Sequence, residues 1–320
     1  MATTDQVKSL IKSHYLNEKE KFYSIALQIA AHEAKLGRND ISNEIKTLII
    51  NDREKKDSLF ISLPTELVGL VSVNEFEIPL STMVISPRLK KRILRIIEEY
   101  KHKNRLKSYG LKHKRKILLL GPPGTGKTLT SKVLSNELKL PLYIIQLDQL
   151  ITKFMGETSS KLRLIFNLIN QENGIYFFDE FDAIGGKRTF DNDVGEMRRV
   201  LNSFLQFIEL VDSDSLVIAA SNNPSLLDKA LYRRFDDILV YTLPEENERK
   251  KLIQNLLGLF IEKKYDWDSI LAESQELSHG EIDFACKDAI KESILNGYET
   301  VNSVGLINSL RERKLENLEF

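Results

Sequence analysis

The octapeptide GPPGTGKT (residues 121–128) carries the densest chemistry in this chain. It fits G-x-x-x-x-G-K-T and lies between an apolar run, KILLL (116–120), and a helical stretch, LTSKVLSNEL. Glycines in such a loop let successive backbone N–H groups curl around phosphate oxygens, and the helix that follows adds its positive end. Lys127 supplies a point charge for the β- and γ-phosphates, and Thr128 offers a hydroxyl to Mg²⁺. Gly121, Pro122, Pro123, Gly124, Thr125, Gly126 and Leu129 complete the expected nucleotide contacts.

Three further clusters suit the same reaction. The run IYFFDEFD (175–182) ends in Asp179 and Glu180, at the strand edge where ligands sit in open α/β sheets. Asp179 suits the Mg²⁺ shell, and Glu180 is placed to polarise an attacking water. In AASNNP, Asn222 follows an apolar run directly and could hold that water or sense the γ-phosphate, with Asn223 the second choice. In DKALYRRFDD, Arg233 and Arg234 stand at a helix end. There they could serve the helix dipole alone, worth about 0.3–1 kcal/mol. A guanidinium is also the usual choice for stabilising charge on a transferring phosphoryl group.

These residues need a frame that brings them together. The runs KILLL (116–120), LYIIQL (142–147), IYFFD (175–179), LVIAAS (216–221) and ILVYTL (238–243) alternate with helical stretches. Short, continuously apolar strands of this kind predict a parallel five-stranded sheet covered by helices on both faces. The spacing predicts four segments: an N-terminal helical module over 1–58, a connector over 59–79, the large α/β domain over 80–243, and a C-terminal all-helical lid over 244–320. In the first, Phe22, Ile25, Ile29 and Ala30 share one helix face, and Ile45, Leu48 and Ile49 form a second stripe.

Composition narrows the class. The 320 residues are 42% apolar and 29% charged, those of an ordinary folded chain. No apolar window approaches the 18 residues of a membrane span, and the first residues lack a secretory leader's apolar centre. The single Cys286 excludes an internal disulfide and fits a cytoplasmic setting. There is no H-E-x-x-H or zinc-type Cys/His spacing. Net charge is zero, yet residues 88–116 hold thirteen Lys/Arg against two Glu. That run reads as a solvated helix face or as a nucleic-acid patch.

Taken in order, the nucleotide loop, KFMGE, FFDEFDAIGGKR, AASNNPSLLDKALYRRFD and a helical lid resemble the AAA+ ATPases, specifically the classical AAA branch. The contracted RRF is similar to the katanin, spastin and ESCRT-disassembling members. The resemblance covers about residues 80–300 and implies ATP hydrolysis with Mg²⁺ in a homo-oligomeric ring, usually a hexamer. It makes Asn222 the sensor residue and Arg233 and Arg234 the fingers that reach a neighbouring subunit's nucleotide. It implies further that Phe154 and Met155, with Lys187 and Arg188, line the ring's central pore and grip a polypeptide client. Two stretches depart from the family. SHGE (278–281) stands where S-G-A-D is usual, which puts His279 and Gly280 on the adenine side. STMVISP replaces D-I-G-G-L, so Val84 and Ile85 are the candidates for contact with the base.

The reading that follows is a cytoplasmic protein remodeller or unfoldase, working on protein clients and possibly beside a separately encoded protease. Two alternatives stay open: a motor or loader on nucleic acid, motivated by the basic run, and a nucleotide-gated signalling scaffold.

Overall fold

The computed structural model describes residues 19–35, 41–45, 63–150, 157–185, 194–262 and 264–319, together with positions 8, 13, 38 and 47. The chain divides into two units, Met1–Leu63 and Pro64–Phe320. In the first, helix α1 (Lys19–Lys35) buries Ile25, Ala26 and Ala30, the spacing of one helix face. Phe22 and Ile45 pack beside Ala26. The division falls after Leu63 rather than at the expected 58 and 79.

The second unit is built on one six-stranded sheet in the order β1-β3-β4-β5-β2-β6. The strands are β1 (Val71–Asn74), β2 (Lys116–Leu120), β3 (Leu142–Ile145), β4 (Ile175–Phe178), β5 (Leu216–Ser221) and β6 (Asp237–Val240). The five expected strands are all present and run parallel. A sixth corrects the connector reading of 59–79: β1 pairs antiparallel with β3, from Val71 opposite Ile145 to Asn74 opposite Leu142. It has four residues, of which only Val71 is buried, and it sits at the sheet edge. A strand so short, solvated on one side, leaves too little alternation to read between Pro64 and Pro79.

Every residue of β4 and β5 is buried, which is why their sequences are apolar without alternation. One face of the sheet packs Ile117, Leu119, Phe177, Ile218 and Leu239 against α2 (Pro87–Lys101) and α3 (Lys127–Leu138). On the other face, Phe178 meets Phe166 of α4 (Glu157–Gln171) and Phe204 of α5 (Val194–Glu209).

The basic run folds into α2, a short helix over Lys103–Ser108 and the segment leading into β2. Leu89, Ile93, Ile96, Ile97 and Tyr100 form its buried stripe, and Ser86 caps its start by accepting from the Leu89 N–H at 3.3 Å. Much of its charge is committed within the unit. Arg92 and Lys114 both pair with buried Asp237. Lys103 and Lys107 pair with Asp214, and Lys112 and Arg115 with Asp212. These partners hold the Asp237 and Asp214 carboxyls below the usual carboxylate range despite burial.

After Pro244 the chain forms α6 (Glu246–Leu257), α7 (Trp267–Glu273), α8 (His279–Leu295) and α9 (Ser303–Glu319) around a core of their own. Cys286 lies in that core, fully buried, and burial pushes its thiol up to about 12. It is a packing residue, inert at neutral pH.

Candidate functional site

Because β4, β5 and β2 are parallel neighbours, the segments that follow them emerge side by side at one edge of the sheet. They are the GPPGTGKT loop, Asp179–Glu180 and Asn222. A cavity of about 530 Å³ opens there, lined by Pro123–Leu129, Asp179, Glu180 and Asn222 at one end. Thr82–Ile85, Leu252, Leu256, His279, Gly280 and Asp283 line the other. The alternating fold thus gathers motifs that lie a hundred residues apart.

The loop's glycines answer to specific geometry. Gly121 has φ +149°, and a Cβ there would lie 2.3 Å from the Tyr241 carbonyl oxygen. Gly124 has φ +70°, and its Cβ would meet Ser278 Oγ at 2.4 Å. That closeness lets the Gly280 N–H donate to the Gly124 carbonyl at 2.9 Å, which ties the start of α8 to the loop. Ser278 caps α8 in a reciprocal box with Glu281, so the tie sits on an ordered helix end.

Lys127, only 6% exposed, donates to the Gly121 and Pro122 carbonyls at 2.7 Å each. Burial lowers its pKa, against the pull of the Asp179 and Asp182 charges. Thr128 Oγ1 donates to Asp179 Oδ2 at 2.9 Å, so a hydroxyl and a carboxylate stand together as hard oxygen donors. Thr130 on the same helix lies 2.6 Å from Tyr241 Oη, which fixes α3 against the end of β6. Glu180 is exposed, with φ +49°, an uncommon conformation for a non-glycine residue. The Asn222 N–H donates to Asp182 Oδ1 at 3.4 Å, and the Asn223 N–H donates to Ser221 Oγ at 3.1 Å. Asn222 lines the cavity and Asn223 does not.

Arg233 and Arg234 do not line this cavity. Arg233 is exposed at the C-terminal end of the one-turn helix Lys229–Tyr232, and Arg234 pairs with Glu209 at 2.5 Å. His279 and Gly280 do line it, with Val84 and Ile85 opposite. Both ring nitrogens of His279 are buried, and neither makes a hydrogen bond of good geometry, although the Val84 backbone stands beside the ring and favours its charged form. Burial outweighs that and holds this imidazole below its ordinary pKa, hence neutral at pH 7.

Sequence reasoning missed Thr82, Met83, Leu252, Leu256 and Asp283. Leu252 and Leu256 sit one helical turn apart on α6 and also pack against the lid core, so their spacing gives only the ordinary core signal. Phe154, Met155, Lys187 and Arg188 lie outside the described residues. Among the described residues no helix is long and apolar enough to cross a membrane, and no group of three His, Cys, Asp or Glu gathers as a metal site.

Residues 117–243 match the family model described as "ATPase family associated with various cellular activities (AAA)". Across nearly its whole length the chain is similar to an uncharacterised AAA family ATPase of Sinorhizobium fredii, 29% identical over 98% of this chain and 96% of that one. It is 32% identical to the proteasome-activating nucleotidase of Sulfurisphaera tokodaii, over 66% of this chain and 56% of the relative. A putative 26S proteasome regulatory subunit homolog of Methanothermobacter thermautotrophicus is 32% identical over 63% and 55%. The chain therefore spans about half the length of those two relatives. Among solved structures, the FIGL-1 AAA domain superposes with a TM-score of 0.62 at 23% identity, over 79% of this chain and 90% of that one, and shares the fold.

Proposed function

We propose that the chain, an ATP-hydrolysing member of the AAA family, remodels or unfolds protein clients as a ring, most simply a homohexamer. The observation that carries the proposal is the meeting of Lys127, the Thr128–Asp179 pair, Glu180 and Asn222 on one cavity.

In this reading the loop N–H groups and Lys127 hold the β- and γ-phosphates. The hydroxyl of Thr128 and the carboxylate of Asp179 would hold Mg²⁺, whose charge offsets that of the phosphates. Glu180 orients and deprotonates the attacking water, and Asn222 senses the γ-phosphate. The apolar end, with Val84, Ile85, Leu256, His279 and Gly280, takes the base. Arg233 and Arg234, displaced from their own chain's cavity, complete a neighbour's site. Phe154, Met155 and Arg188 grip the client.

The basic run gives the nucleic-acid reading only partial support, since six of its thirteen cations already answer Asp212, Asp214 and Asp237. The proteasome-linked names of two relatives support a protein client, and a cytoplasmic setting with a separate protease belongs to the same proposal.

The test is to measure ATP turnover while titrating in an unfolded polypeptide or single-stranded DNA. Polypeptide should raise the rate and DNA should not. A rise with DNA that collapses as salt increases would replace the client assignment.

A further inference from the structure

The Glu180 side chain accepts no hydrogen bond from any described residue, and it stands exposed at the cavity. Among the described residues no side-chain partner sets its aim, and the backbone turn is what directs it. That backbone sits at φ +49°, where a side chain with a Cβ is strained and persists only if its surroundings over-determine it.

The surroundings do so mainly through the next residue. The Phe181 N–H donates to the Ala220 carbonyl at 2.7 Å, which binds the turn to the neighbouring strand two residues before Asn222. The Phe181 ring is wholly buried and packs on Phe204 of α5, centroids 4.6 Å apart. Phe204 in turn meets Phe178 and Phe166, at 5.4 Å each. Two lesser ties close the turn. The Glu180 N–H donates to Asp179 Oδ1 at 2.9 Å, and the Ala183 N–H donates to the Glu180 carbonyl at 2.9 Å.

We infer that Phe181 is the positioning residue for Glu180. Its buried ring holds the strained turn that points the carboxylate at the water, and its N–H fixes that turn at a set distance from Asn222. Phe181 touches neither nucleotide nor water, and it acts only through Glu180. The inference rests on the assignment of Glu180 under the proposed function. A displacement of about 1 Å at a reacting group can cost about 10²-fold in rate, which sets the scale of the effect.

The experiment is steady-state ATP turnover and nucleotide binding on the full chain carrying Phe181→Ala or Phe181→Leu, each alone and together with Glu180→Gln. Phe181→Ala should lower kcat about 10²-fold and leave ATP affinity and KM within about twofold. Phe181→Leu, which still fills most of the space, should recover most of that loss. In the Glu180→Gln background neither variant should lower the residual rate further, because the group being aimed is gone. If Phe181→Ala does not fold, Phe181→Val, smaller than leucine, carries the test through a kcat loss between those of the other two and the disappearance of that loss beside Glu180→Gln. Equal losses with and without Glu180, or a KM that rises with kcat unchanged, would overturn the inference. A Glu180→Gln chain with wild-type turnover would instead remove the assignment on which it rests.

Discussion

The two ends of the cavity are built differently. One part is made of residues 123–129 in one continuous stretch, with Asp179, Glu180 and Asn222 one or two steps past a buried strand. The rest of the lining is assembled from three separate places: residues 82–85, Leu252 and Leu256 on α6, and His279, Gly280 and Asp283 on α8. In the proposed function the first group recognises charge through backbone N–H groups and a lysine, and the second takes the base mainly by apolar packing. Chemistry that needs fixed positive dipoles constrains residue types at fixed spacing. Packing constrains only size and polarity, so many sequences satisfy it.

That difference predicts how the two ends fail. The largest effect belongs to the phosphate end. Glu180→Gln should lower kcat by about 10²–10⁴-fold, the usual share of a general base, while ATP binding persists. Turnover and nucleotide titration on the same preparation check both halves. A variant at the base end should behave in the opposite sense. Leu256→Ala removes about 1–2 kcal/mol of apolar contact, raising KM for ATP about tenfold with kcat nearly unchanged. If Leu256→Ala lowered kcat and left KM alone, the division of labour between the ends would be wrong.

The smallest effect is one of pH. Burial depresses the pKa of both His279, in the cavity wall, and His113, packed edge-on against Tyr100. The unfolded chain therefore binds protons that the folded chain refuses, and stability should fall as pH drops below the ordinary imidazole value of about 6.5. The depressed carboxyls of Asp214 and Asp237 lose their contribution only in stronger acid, as pH falls through their folded values. Denaturant midpoints at pH 7.5 and 5.5 should thus differ, and His113→Gln should shrink the difference. An unchanged midpoint would mean that both rings take up protons when folded.

The same contrast explains what could be read from sequence. The nucleotide loop, Asp179, Glu180 and Asn222 were legible because each sits beside an apolar run whose direction the fold fixes. Leu252 and Leu256 were not, because their helical spacing is that of any core residue and only the lid's placement turns them toward the cavity. The strand β1 escaped notice because four half-buried residues carry too little pattern. The basic run looked like a surface feature because its partners, Asp212, Asp214, Asp236 and Asp237, lie about a hundred residues away and meet it only through strand pairing. His279 lines the cavity, and both its ring nitrogens are buried, which no residue spacing reveals.

The central claim is that hydrolysis at this cavity is completed by a neighbouring subunit. Among the described residues no arginine lines the cavity, and Arg234 pairs with Glu209. Arginine fingers are worth about 10³–10⁵ in rate, so Arg234→Ala chains alone should be nearly inactive, as should Glu180→Gln chains alone. Mixing the two exchanges subunits, and in an equal mixture about a quarter of head-to-tail interfaces join an intact Glu180 to an intact Arg234. ATPase activity measured on that mixture should rise well above either variant. A mixture no more active than its parts, or full activity from a stable wild-type monomer, would contradict the account.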